Sequence, residues 1–321
     1  MVISNTTPTT ATATATATAP SPRRPGAPTG PRDSTGYRAF TWFNAVALVL
    51  VCAIMLYPFV TLLAQSFSSA GAIKSGQVSV WPVGFNLETY RAVLHNGDFW
   101  RSYGNTVLYT VVGTAIAMAL TTTYAYVISK RHLRGRNVLI GIAVFTMFFS
   151  GGIIPNYVLI SSLGMKNTMW SVVLPPALSV FNLLVMKSFF ENMPSELEEA
   201  AQIDGLGAFA IFVRIVLPLS KAVLATMILF YAVAYWNDWF SAFLYLDKND
   251  LFPLSLFLRN LIAGASTTAA SSAAAIGASK ATIDANIQAV SMILAIIPIV
   301  CVYPFVQRHF VSGVMLGSVK G

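Results

Sequence analysis

The chain has 321 residues, of which 55% are hydrophobic and only 10% charged, with a mean hydropathy of +0.66. A water-soluble domain carries about a quarter charged residues to solvate its surface, so this composition excludes an ordinary soluble protein and points to a membrane protein. The formal charge of +8 does not bring in nucleic acid. The basic residues gather between apolar runs, where they set membrane orientation, and no basic stripe interleaved with aromatics lies outside those runs.

The first 40 residues contain a Thr/Ala tract, Thr9 to Ala19, followed by a Pro/Gly/Arg stretch from Pro20 to Arg38. A cleavable signal peptide would place an apolar core directly after its first basic residues. Low complexity and few large apolar side chains predict a disordered cytoplasmic tail over residues 1–40 instead. Crossing about 30 Å of hydrocarbon takes about 20 apolar residues in a helix. Six runs qualify: approximately Trp42 to Ala64, Gly104 to Ile128, Val138 to Ile160, Thr168 to Phe190, Ala222 to Leu246 and Ala289 to Phe310. Their length excludes the short alternating strands of a barrel, and backbone groups in lipid must be satisfied within their own segment. The expected fold is therefore all-α: a polytopic membrane domain over residues 41–311 with six transmembrane helices, then a cytoplasmic tail over residues 312–321.

Six crossings put both termini on one side. The short loop Ser129 to Asn137 holds Lys130, Arg131, Arg134 and Arg136, and short basic loops stay inside. Both termini are thus expected in the cytoplasm, with the chain in the cytoplasmic (inner) membrane. Two long segments, Gln65 to Tyr103 and Asp247 to Gln288, then lie outside. The second contains the Ala/Ser/Thr-rich stretch 263–282, too polar for lipid and read as a mobile or partner-covered loop. Cys52 and Cys301 sit in apolar runs without a second cysteine or histidine nearby, so the default is buried apolar cysteine, with no disulfide or metal site.

The loop between the fourth and fifth runs carries the most information. Ser195 and Glu198 have capping-box spacing, and Glu196, Glu198 and Glu199 crowd a first helical turn, where negative charge is favoured. Gly205 is placed to end that helix in a left-handed conformation. Leu197, Ala200, Ala201 and Ile203 form one weakly apolar face on which another backbone can approach closely. A second short helix, about Ala208 to Val216, ends at Leu217-Pro218.

Glu199-Ala200-Ala201, Gly205, Ile215 and Leu217-Pro218, at these spacings, resemble the cytoplasmic EAA signature of permease subunits of binding-protein-dependent ABC importers. The resemblance covers nearly all of the chain from the first run onward. Phe149 to Pro155, Leu163 to Thr168 and the tail Gln307 to Gly321 resemble the maltose-type carbohydrate-uptake branch, especially importers of polysaccharide-derived oligosaccharides. It implies that residues 195–218 form a coupling helix and loop docked on an ATP-binding subunit, with Glu196, Glu199, Ala200, Ala201, Asp204, Gly205, Ile215, Leu217 and Pro218 as coupling residues. Lys320 and Gly321 in the tail would reach toward the ATPase. The implied partners are a second homologous permease, two ATP-binding subunits, an extracytoplasmic solute-binding protein and a sugar or oligosaccharide. No cofactor is implied. The sequence has no G-x-x-x-x-G-K-[ST] phosphate loop, so ATP hydrolysis is expected on the partners.

Asp238, flanked by Trp236 and Asn237, is an ionisable group at membrane depth, where such groups face a cavity or a partner. It is a candidate pathway residue with Trp236, Asn237, Asn156 and Asn182; the alternative is a structural hydrogen bond. Gly151, Gly152 and Pro155 should kink the third run, as a gating hinge or a static packing feature. Gly205-Leu206-Gly207 begins a G-x-G-x-x-A match without the strand a dinucleotide site needs. Gly313 and Gly317 lie beyond the last run, which argues against a helix-dimer motif. A permease for a non-sugar solute, or a secondary transporter, stays open as an alternative; the latter should show symmetric broken helices.

Overall fold

The computed structural model describes residues 35–271 and 286–301. Every regular element among them is helical, as expected for an apolar chain that must satisfy its own backbone. The chain divides into two compact units, residues 1–55 and 56–321. The described part of the first is the leading portion of α1 (Thr35–Ser66), a helix that continues through Pro58. It starts inside the segment 1–40 expected to be an unstructured tail.

In the second unit, α2 (Ala70–Lys74) and α3 (Glu88–Leu94) organise a segment whose sequence suggested no elements. Buried Ser68 holds it together: its hydroxyl donates to the Ala64 carbonyl (2.6 Å) and accepts the Val83 N–H (3.1 Å). Phe67 stacks on Phe85 and Tyr90. Next comes α4 (Gly97–Ser129), capped by the Asn96 side chain, which accepts from Asp98 and Phe99 N–H groups. At 1.5 Å per residue its 33 residues reach about 50 Å, and it is the spine against which later helices pack.

Three of the expected continuous runs are broken. The third divides into α5 (Arg136–Phe148) and α6 (Ile153–Ser162), bent by 114°. Gly152 supplies the turn at φ +88°, and Pro155 sits in the first turn of α6, where no intrahelical N–H is needed. The fourth divides into α7 (Trp170–Val173) and α8 (Val180–Glu191) around Pro175-Pro176. After α9 (Ser195–Ile203) come α10 (Ala208–Ile211), a π-turn over Phe212–Val216 and α11 (Leu217–Leu219). A bend of 84° then leads into α12 (Lys221–Asn237). The fifth run breaks at Asp238 before α13 (Phe240–Tyr245). By length and composition α1 and α4 can each cross a membrane, and two bent pairs reach that length only when joined.

A short 3-10 turn, Asn249–Leu251, precedes α14 (Leu254–Ser271), which corrects the reading of the Ala/Ser/Thr stretch as loop up to residue 271. Its first half, Leu254–Ala263, is apolar, and Leu254 and Leu256 are buried. The last described helix is α15, Asn286–Cys301. Residues 272–285 and 302–321, with Gly313, Gly317, Lys320 and Gly321, lie outside the described residues. Cys52 and Cys301 are free thiols exposed on the isolated chain, where the sequence predicted burial. A helix apolar on every face has no side reserved for its own core.

Close approach of α4 and α12 rests on Gly113, where a Cβ would lie 2.6 Å from the Tyr235 ring. At the far end from the Ser129 terminus, the Tyr109 hydroxyl donates to the Leu251 carbonyl (2.8 Å), and Thr106 accepts the Leu254 N–H (2.7 Å). Lys166 and Asn167 form a clasp there. Asn167 adopts φ +60°, accepts the Asp247 N–H (2.6 Å) and donates to the Asp247 carboxylate (3.1 Å), which also pairs with Lys166 (3.0 Å). Hydrogen bonds from Lys166 and then Asn167 hold the Asp247 carboxyl below its ordinary range. Asn167→Ala should lose both bonds and strain the left-handed residue, costing about 1–3 kcal/mol. Asn167→Gly should recover only the conformational part; thermal melts of the detergent-purified protein compare the two.

Candidate functional site

The segment carrying the signature is a helix with defined ends. α9 stops in a Schellman arrangement: Leu206 N–H donates to the Ala201 carbonyl and Gly205 N–H to the Gln202 carbonyl, both at 3.0 Å. Gly205 takes φ +80°, as its position after the helix predicts. The other end differs from expectation. Pro194 is the N-cap and no side chain caps the helix, so Ser195 is its first residue. Glu198 is drawn elsewhere: both carboxylate oxygens accept from Lys130, at the end of α4.

The weakly apolar face also divides in two. Ala201 is buried, with Ile211, Phe212 and Val216 beside it in a core shared with Ala125 and Ile128 of α4 and Leu183 and Met186 of α8. Ile215 and Leu217 pack partly against that core. Glu196, Glu199, Ala200, Asp204 and Gly205 are exposed, as is Pro218. Ile203 (87% exposed) and Phe209 (78%) project from the same stretch.

Two ion-pair groups fasten this stretch and the end of α8 to the basic loop. Lys130 meets Glu198 and lies 4.2 Å from the centroid of the Tyr126 ring. Arg136 donates to the Ile128 carbonyl (2.8 Å) and to Glu191, which also accepts from Lys187 (2.8 Å). A cleft of about 400 Å³ runs between loop and helix, lined by Arg131, His132, Glu199 and Gln202 among others. Burial alone would raise the Glu191 carboxyl; hydrogen bonding and charge from Lys187, with charge from Arg136, outweigh it and hold the group below its ordinary range. A carboxyl lowered in the folded state stabilises above its unfolded pKa of about 4.3, and that stabilisation disappears as pH falls through the lowered value. Glu191→Gln should therefore cost about 1.5–3 kcal/mol at pH 7, and the cost should shrink progressively below about pH 4.3, read from thermal melts across pH.

The second place of interest is where the broken runs meet. One cavity of about 340 Å³ is lined by Pro176, Tyr231, Ala234, Tyr235, Asn237, Asp238 and Ser241. Another of the same volume, sharing Pro176 and Ser241, is lined by Gly152 and Asn156 together with Tyr245. Asn237 and Asp238 thus line one cavity and Asn156 its neighbour, both beside interruptions of the runs. Asp238 also has a structural role. Its carboxylate accepts the Ser241 N–H (3.1 Å) in the first turn of α13, while its carbonyl accepts from Ser255 (3.0 Å). Trp236 lines an adjacent groove that shares Asn237, with Leu254 and Met292, its ring edge-on to Tyr103, and Asn182 is buried in α8. Among the described residues no cluster of metal-ligating side chains occurs.

Comparison with known proteins matches the model of a family described as the binding-protein-dependent transport system inner membrane component, over residues 133–315. The chain belongs to this family. The matched span takes in the basic loop from residue 133, α9 with its signature, and all residues of the two neighbouring cavities. Protein LplC of Bacillus subtilis is 41% identical over 88% of this chain and 96% of its own length. The polygalacturonan/rhamnogalacturonan transport system permease protein YtcP of the same organism is 39% identical over 85% of this chain and 96% of its own. A chain from the crystal structure of a bacterial ABC transporter involved in import of the acidic polysaccharide alginate superposes with a TM-score of 0.79. It is 32% identical, and the match covers 88% of this chain and 100% of that one.

For this family member the sequence reading missed the Lys130–Glu198 pair and the Arg136–Glu191–Lys187 group, and Phe209 as an exposed apolar residue. A signal for the first existed, since a basic loop and an acidic helix assigned to the same membrane side invite pairing. Nothing in the one-dimensional pattern distinguished Ile203, exposed, from Ala201, buried.

Proposed function

We propose that this chain is the transmembrane permease subunit of an ABC importer that moves a sugar or oligosaccharide across the cytoplasmic membrane by ATP-driven alternating access. It pairs with a second homologous permease, two ATP-binding subunits and an extracytoplasmic binding protein, which hands over the sugar. The observation that carries this reading is the exposed edge of α9 and the loop after it: Glu196, Glu199, Ala200, Ile203 and Asp204 present a compact surface, with Phe209 beyond the Gly205 turn. The chain crosses the membrane six times with both termini inside, a reading supported by the basic loop 129–137 lying against α9 at one end of α4.

Function divides among the parts. ATP binding closes the partner subunits, α9 moves with them, and the crossings rock to open the cavity between the broken runs. Asn237 and Asp238 give that cavity hydrogen-bonding groups, and Asn156 gives one to the neighbouring cavity that shares Pro176 and Ser241. Names of two relatives, for polygalacturonan/rhamnogalacturonan and for alginate, favour an acidic oligosaccharide. ATP hydrolysis belongs to the partners. A thermal-shift screen of the binding protein identifies its sugar. ATPase activity of the assembled complex should then rise when that sugar-loaded binding protein is added. Activity indifferent to the loaded binding protein would refute the reading.

A further inference from the structure

Among the described residues, α4 forms an unbroken rod between the two candidate sites. α4 runs from Gly97 to Ser129 without interruption, while the runs packed around it are split. Its last residue is followed by Lys130, whose ammonium is held by both Glu198 oxygens on α9. Both side chains are largely buried, at 23% and 19% exposed. The Tyr126 ring beneath Lys130 packs 4.8 Å from Phe212, just after α10.

Further along the same rod, Thr121 shares a hydrogen bond of 2.7 Å with the Tyr231 hydroxyl, which also accepts the Ser179 N–H (3.0 Å) at the start of α8. Gly113 receives the Tyr235 ring, and the Tyr235 hydroxyl donates to the Val173 carbonyl at the end of α7 (2.8 Å). Both tyrosines line the cavity with Asp238. A displacement of α9 therefore has a direct mechanical route to the cavity wall: Glu198 to Lys130, along α4, to Tyr231 and Tyr235.

We propose that the Lys130–Glu198 pair is the latch by which α9 drives α4, so that these are positioning residues for coupling, distinct from the residues that dock the ATP-binding subunit. The proposal rests on the importer reading above. A buried pair suits a latch, because removing one partner strands a charge in a poorly solvated place whereas the pair itself resists separation. Coupling energies between sites correspond to factors of about 5–150.

The test uses the complete importer in liposomes and measures radiolabelled oligogalacturonide taken up per ATP hydrolysed. Uptake by the unsubstituted complex tests the importer reading; the ratio in the variants tests the latch. Lys130→Glu and Glu198→Lys should each lower the ratio about tenfold while the ATP-binding subunits still co-purify, and the double exchange should restore it to within about twofold. If the reversed-charge single variants fail to accumulate in the membrane, Lys130→Met decides by the same ratio. An unchanged ratio in the single variants, or a double exchange as poor as either, would overturn the latch. So would loss of the ATP-binding subunits in the single variants with their recovery in the double exchange, since the pair would then shape the docking surface instead.

Discussion

Gly205→Val should abolish ATP-driven uptake while leaving the chain in the membrane. Gly205 holds φ +80° at the end of α9, with nothing within 4 Å of the position a Cβ would occupy. Space is therefore not the constraint; backbone conformation is. A β-branched residue is a genuine outlier in that region, and forcing it there costs on the order of 1–3 kcal/mol. The loop relieves the strain by abandoning the Schellman bonds from Gly205 and Leu206, which re-aims Asp204 and Phe209, on either side of the turn. The expected result is loss of co-purifying ATP-binding subunits and at least tenfold lower uptake, the equivalent of about 1.4 kcal/mol of lost docking energy. Gly205→Asn separates conformation from chemistry, because Asn tolerates the left-handed region; it should retain docking. If both variants dock normally, the α9 terminus has no part in partner binding.

The second large effect is expected at Gly113. A methyl group there would meet the Tyr235 ring at 2.6 Å, well inside contact distance, and the ring is fixed at its far end by the bond to the Val173 carbonyl. The ring cannot swing aside without giving up that bond, so α4 and α12 must separate. Gly113→Ala should destabilise the protein by about 1–3 kcal/mol as an overpacked site, and Gly113→Leu by more. Combining Gly113→Ala with Tyr235→Ala should cost less than the sum of the two single changes, since the collision is removed. Thermal unfolding of the four proteins in detergent provides the cycle, and strict additivity would show that the two residues do not oppose each other.

How much of this was legible in the sequence depends on how local the information was. The all-helical class followed from apolar runs whose backbone has no other partner. The end of α9 at Gly205 followed from a glycine placed just past a helical stretch. The breaks were harder to read. Apolar residues continue through Leu174-Pro175-Pro176-Ala177 and through Trp239-Phe240, so run length alone joined elements that the chain separates. Gly152 and Pro155 predicted a kink, and the backbone turns by 114° there. The first half of α14 was lost for the opposite reason: small polar residues further along suggested a loop, while Leu254 and Leu256 are buried, Leu254 in a core made with α4 and α15.

The ion pairs were invisible because their partners are far apart in the chain. Lys130 and Glu198 are 68 residues apart, and Arg136 and Glu191 are 55 apart. Only folding brings the basic loop under α9, and only then does Ser195 lose its expected capping partner to a lysine. Of the five candidate pathway residues, Asn237 and Asp238 line one cavity and Asn156 a neighbouring one, each near a break. Trp236 was chosen as an aromatic beside Asp238 and lines an adjacent groove, whereas Asn182, chosen like Asn156 for polarity alone, is buried in α8.

The central claim is that this chain is the conducting and coupling subunit of an ATP-driven sugar importer. Uptake into liposomes tests it most directly, using the sugar that most stabilises the binding protein and ATP supplied on the side of the ATP-binding subunits. Accumulation is expected only when this chain, its partner permease, the ATP-binding subunits and the binding protein are all present, and none with a non-hydrolysable ATP analogue. Sugar accumulation by this chain alone, independent of ATP, would contradict it.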